Sequence, residues 1–180
     1  MQPRGPLMIE HRLIERILSH FRAELERISA TGNADPVFVD VAIDFFSMYG
    51  DRTHHGKEEL ILFRDLSKKQ MSEADKATME ELIAEHATGR LVTTELVEAN
   101  RRYRSGDSAA LTIIRNKLQF LADFYPKHIQ KEDKIFFPSM MKYLSESEQK
   151  SMIEEFWEFD RNLIHEKYRL VIESLDRTRA

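Results

Sequence analysis

The residues best suited to chemistry stand in two matching stretches, HHGKEELILF from His54 to Phe63 and HIQKEDKIFF from His128 to Phe137. Laid one on the other, His54/His128, Lys57/Lys131, Glu58/Glu132, Ile61/Ile135 and Phe63/Phe137 are identical, and Glu59 and Asp133 keep the acid. A His and a Glu four residues apart lie one turn apart on the same helix face. Each stretch therefore offers an imidazole and a carboxylate to a common point. Two such helices facing each other would form a cage of two nitrogen and two oxygen ligands, a donor set suited to a pair of iron ions.

Spacing alone is a weak signal. Seven His occur, and His11, His20, His54, His55 and His128 all have a Glu four residues on. Most pairs of this kind on Glu-rich helices are surface contacts contributing about 0.3 kcal/mol. The repeat, with its shared Lys, second acid and Phe, separates His54, Glu58, His128 and Glu132 from that background. His11 stands among Met8, Ile9, Leu13 and Ile14, and His86 follows Leu82 and Ile83. A buried imidazole needs a partner, so each reads either as a core His bonded to a carbonyl or as a ligand contributed by its helix. His55 and Glu59 are one residue out of phase with His54 and Glu58, so one pair only is expected to point fully into the site; the repeat favours His54, since Ile129 follows His128. His165, between Ile164 and Glu166, reads equally as a further ligand or as an interhelical or surface His. His20 is expected to face solvent. Lys57, Lys131, Glu59 and Asp133 are candidates for groups just outside the ligands, or for surface positions.

These residues need long helices to position them, and the sequence supplies them. Apolar residues recur at helical spacing from Leu7 through Ile28, which predicts a first helix to about Ala30. Thr31 to Pro36 (TGNADP) is a turn, with Asp35-Pro36 opening a second helix to about Ser67, adjusted near Gly50. Ser72 caps a third helix ending near Arg104. Asp107 or Ser108 caps a fourth, which carries the second decapeptide, with a kink or break expected at Pro126. Ser145-Glu146-Ser147-Glu148 is a capping box for a fifth helix. The expected fold is all-α: one domain over 1–180, an antiparallel up-down four-helix bundle with its core at about 7–143 and an additional C-terminal helix at about 146–175.

Composition agrees with this and removes other chemistries. Of the 180 residues 32% are charged, with 6 Gly, 5 Pro and no Cys, so thiolate metal sites, disulfides and Cys nucleophiles are excluded. A net charge of −4 with no basic stripe gives no nucleic-acid surface. No signal peptide or membrane-spanning run is legible, so a cytoplasmic protein is expected. There is no HExxH, GxSxG, P-loop or dinucleotide fingerprint. The E-x-x-H pairs of ferritin-type di-iron bundles are absent.

With IEHRLIER around His11, DRTHHGKEE around His54, ELIAEHATGR around His86, YPKHIQKED around His128 and EFDRNLIHEKY around His165, the chain resembles the hemerythrin-like (HHE cation-binding) family over nearly its whole length. The resemblance implies an antiparallel four-helix bundle around a non-haem, often oxo-bridged, di-iron centre. His11, His54, His86 and His128 would give nitrogen, and Glu58 and Glu132 would be bridging carboxylates. Zinc or manganese would be substitute metals. The family's roles span binding or sensing of oxygen, nitric oxide or iron, and redox work of the peroxidase or iron–sulfur cluster repair type.

Two departures bear on this. Oxygen carriers of the family have H-x-x-x-H on the third helix, whereas His86 is followed by Arg90, leaving a vacancy for His165, water or substrate; His165 or solvent is favoured. Carriers use the acid five residues after the last His; here Glu132 stands at four, as in sensing and repair relatives, with Asp133 at five. The reading is a metal- and ligand-binding protein for a small diatomic ligand or peroxide, with no identified protein partner, rather than a dedicated enzyme. A metal-free helical interaction module, its His merely satisfying core polar groups, is the rival from another class.

Overall fold

The computed structural model describes the backbone of residues 2–179 and the side chains of residues 2–163, 165 and 167. Helix α1 spans Arg4–Thr31, beginning one turn before the apolar pattern does, and closes on Gly32, whose φ of 69° lets its N–H reach the Ile28 carbonyl at 2.9 Å. Asp35 then caps α2, accepting from the Val37 N–H at 2.9 Å. Glu24 ties this turn down. Arg27 pairs with both its oxygens, and the Asp35 N–H donates to it at 2.7 Å. The carboxylate four residues after exposed His20 thus serves the loop rather than a metal.

Helix α2 is a continuous rod over 36–66. It is α-helical over Pro36–Asp44, π-helical over Phe45–His55, and π-helical again over Glu58–Phe63 before the last turn Arg64–Leu66. The adjustment expected near Gly50 is thus a wider turn maintained through both His of the first decapeptide. Helix α3 spans Glu73–Arg104, capped by Ser72. Helix α4 runs over Ala110–Lys131, passes into a π-segment at Glu132–Phe136, and ends in the turn Phe137–Met140. Of the kink or break expected at Pro126, the break does not occur: α4 is continuous across it, and the departure from α-helical hydrogen bonding comes at Glu132, within the second decapeptide. Helix α5 spans Glu146–Arg179. Its capping box is formed, with the Ser145 N–H donating to Glu148 at 2.9 Å and the Glu148 N–H to the Ser145 hydroxyl at 3.3 Å. Among the described residues there is no strand.

Short connections make successive helices antiparallel; α4 packs against α1 and α3, and α2 against α3. The core is split in two. One apolar cluster gathers Ile14, Leu18 and Phe21 of α1 with Phe46, Leu96, Leu118 and Tyr125. The other gathers Leu7, Ile61, Leu66, Leu82, Phe136 and Phe137 with Met152 and Phe156 of α5. Between them, on all four bundle helices, lies a layer of buried polar residues. Helix α5 lies outside this bundle along α2. At Gly56 a Cβ would stand 2.7 Å from the Phe159 ring, so glycine is what permits the close approach there.

Asp75, in the first turn of α3, fastens the end of α4. It accepts from the Ser139 hydroxyl and the Tyr143 phenol at 2.5 Å each, and from Lys142 at 2.9 Å. Those donors hold its carboxyl well below the usual carboxylate range. A lowered folded-state pKa means the stabilisation is complete above the unfolded value, near 4, and is lost as pH falls below it. Acid titration of thermal stability should therefore show a shallower loss below pH 4 for Asp75→Asn than for the parent; identical slopes would remove Asp75 from that role.

Candidate metal centre

The polar layer contains two adjoining groups of donors. His11, His54, Glu58 and Glu132 form one, and His55, His86 and His128 the other; within each group the donor atoms lie within 4.8 Å of one another. All seven side chains are buried. The carboxylates face both groups. Glu58 lies 3.5 Å from His54 Nε2 and 3.4 Å from His86 Nε2. Glu132 lies 3.1 Å from His11 Nε2, 3.3 Å from His128 Nε2 and 3.7 Å from His86 Nε2. Each would therefore be able to serve a cation held by either group.

The outer ring nitrogens have partners of their own. His11 Nδ1 meets Asp133 at 2.8 Å, His54 Nδ1 meets Glu10 at 2.9 Å, and His86 Nδ1 meets Glu59 at 2.7 Å. His128 Nδ1 meets Glu85 at 2.8 Å, and His55 Nδ1 meets Asp51 at 3.4 Å. A carboxylate on Nδ1 holds the proton there and leaves the Nε2 lone pair pointing inward, as a metal-ligating imidazole requires. Those acids are steadied in turn by bases: Arg12 on Asp133, Arg90 on Asp51 and Glu59, Lys131 on Glu85, and Lys57 on Glu10.

The inner atoms face only one another. The five Nε2 atoms and all four oxygens of Glu58 and Glu132 are buried without a hydrogen-bond partner; among the described residues Asn100 Oδ1 is the one other atom in that condition. An orphaned buried polar atom costs about 1–3 kcal/mol, so nine converging on one chamber fit bound cations and little else. This is the test a metal centre must pass, and the residues present meet it.

Without cations the chamber is electrostatically strained. Burial, reinforced by the nearby Glu132, pushes the Glu58 carboxyl well up. Burial acts the same way on Glu132, but His128, His11 and His86 together outweigh it and hold that carboxyl well down. Burial lowers His54 to about 4 against the pull of Glu10, and lowers His55 strongly, aided by its His neighbours. His11 goes the other way: burial opposes its charge, but Asp133 and Glu132 raise it to about 9. Cation binding would displace these protons.

Of the residues expected in the site, the structure brings together His11, His54, Glu58, His86, His128 and Glu132. It does not include His165, which is exposed on α5 and lies outside both groups. Two further expectations are corrected. His54 and His55 do not compete. They belong to different donor groups: on the wide turn of α2 His54 faces α1, edge-on to His11 at 4.5 Å between centroids, while His55 stacks on His86 of α3 at 3.8 Å. Beside His86, where Arg90 offers no nitrogen, the candidate donor is His55. Arg90 instead donates to Asp51 and Glu59 at 2.6 Å each, bracing the acids behind His55 and His86. The sequence did carry a signal for His55: it too has an acid four residues on, Glu59.

The comparisons agree with this geometry. The chain matches the family described as hemerythrin HHE cation binding domain over residues 5–173. It is also similar to uncharacterized proteins of Mycobacterium bovis and Mycobacterium tuberculosis, 23% identical over 152 residues, covering 83% of this chain. It spans 58% of the length of those relatives. No solved structure matches. The donor set, its layer between two apolar clusters and the family match lead to one statement: the chain belongs to the hemerythrin HHE cation-binding family.

Proposed function

We propose that this protein holds a non-haem di-iron centre and uses it to bind or sense a small ligand, oxygen, nitric oxide or peroxide. The observation that carries the reading is the set of nine unpartnered donor atoms, grouped for two cations with two carboxylates between them. Imidazole and carboxylate donors without thiolate suit iron, which would supply the redox change and an open coordination position. The chain sets where that position is. Three imidazoles stand in one group and two in the other, so with Glu58 and Glu132 shared between them the side of His11 and His54 would have one protein donor fewer, and there a ligand could bind. Glu58 and Glu132 would place negative charge between the cations, and each outer acid holds the proton on Nδ1 and so aims Nε2 inward.

Anaerobic loading with ferrous iron should give two ions per chain, and oxygen or nitric oxide should then change the near-ultraviolet and visible absorption. His55→Ala should lower iron retention, while His165→Ala should leave two ions per chain. Binding of fewer than two by the parent protein, or equal losses in both variants, would count against the reading.

A further inference from the structure

Lys57 is fully buried, 0% exposed, although no ligand role falls to it. The other bases behind the outer acids keep contact with solvent: Arg12 is 53% exposed, Arg90 38% and Lys131 20%. Lys131 is the counterpart of Lys57 in the repeat, and both bridge two acids. Lys131 joins Glu81 and Glu85, both on α3. Lys57 joins residues of different helices: it pairs with Glu10 of α1 and lies 2.8 Å from Asp160 of α5. Glu10 uses its other oxygen on His54 Nδ1 at 2.9 Å. An unbroken chain thus runs Asp160–Lys57–Glu10–His54. It sits where Phe159 meets Gly56, between the ligands His55 and Glu58. Among the described residues this is the path of polar contacts by which α5 reaches a candidate ligand.

We propose that Lys57 is a positioning residue for the cation on the side of His11 and His54, and that it couples occupancy of that position to the docking of α5. With the ammonium in place, Glu10 is held against His54 and the imidazole is fixed; with α5 docked, Asp160 gives the buried ammonium a second carboxylate partner. Filling the metal position fixes His54, hence Glu10 and Lys57, and so tightens α5. Undocking α5 leaves the ammonium with one partner and loosens His54. The inference rests on the metal-centre reading and assigns it a specific regulation: the two cations differ in their dependence on the fifth helix.

Cobalt(II) is the probe, titrated into the full chain with absorption and stoichiometry recorded. The parent should take two ions. Lys57→Met should take the first as the parent does and weaken the second by about 10–100-fold, the usual cost of losing a group behind a ligand. Asp160→Asn keeps the Lys57–Glu10 contact, folds without an unpaired buried charge at Glu10, and reads the coupling directly. In the parent, cobalt should slow amide exchange over residues 156–163; in Asp160→Asn that slowing should be mostly lost while two ions still bind. If Lys57→Met weakens both ions equally or neither, or if exchange in α5 of the parent ignores cobalt, the proposal is overturned. A parent chain that binds no cobalt removes the metal-centre reading as well.

Discussion

If the chamber holds the proposed pair of cations, stripping them with a chelator should lower the melting temperature by roughly 15–30 °C. A cation held about 1,000-fold above its Kd contributes about 4 kcal/mol, and two such sites about 8 kcal/mol. For a domain of this size each kcal/mol moves the midpoint by about 2–4 °C. The direction follows from the chamber. Removing the ions leaves five imidazole nitrogens and four carboxylate oxygens buried without partners, and places Glu58 against Glu132 with burial pushing the Glu58 carboxyl up. The binding energy of these ions is largely folding energy. Calorimetry before and after chelation, with the metal restored as a control, checks it. A protein that melts at the same temperature in both states would be a helical module whose His are structural.

Glu58→Leu should separate binding from stability. The substitution removes a carboxylate that faces both donor groups, 3.5 Å from His54 Nε2 and 3.4 Å from His86 Nε2, so cation affinity should fall by more than about 100-fold. Yet the metal-free variant should melt higher than the metal-free parent, by an amount equivalent to about 1–3 kcal/mol. Glu58 is fully buried with both oxygens unpartnered, and its neighbours along the same stretch of α2, Ile61 and Leu62, belong to the apolar cluster below. A leucine of similar volume removes that desolvated carboxyl, whereas the parent keeps it for the cation. The measurement is a pair of melting curves in chelator, alongside metal content. A metal-free variant less stable than the metal-free parent would show that Glu58 has a structural partner in the folded chain.

The helices and the polar layer were legible because both are written in local spacing. Apolar recurrence from Leu7 to Ile28, Asp35 before Pro36, and Ser72 and Ser145 with their acids three residues on each specify an element over one or two turns, and each is formed. The repeat likewise picked out His54, Glu58, His128 and Glu132, since a ligand pair one turn apart is a property of a single helix. At Pro126 α4 is not broken, although the proline ring removes a backbone hydrogen bond and crowds the carbonyl four residues back; Tyr125 and Ile129, packed in the core on either side, keep the helix continuous.

What the sequence by itself determined is therefore the helical bundle, its helix boundaries and, with the family resemblance, six of the seven inward-facing candidate donors. Tertiary structure decided the rest. That His55 joins His54 in the chamber while His165 stays outside depends on how α2 winds through its π-turns and where α5 lies against it. That Glu10, Asp51, Glu59, Glu85 and Asp133 stand behind the imidazoles is a set of contacts made mostly between helices. Ligand spacing is fixed within one helix, but the number of centres and the groups that aim each ligand are fixed by distances between helices, which no local pattern encodes.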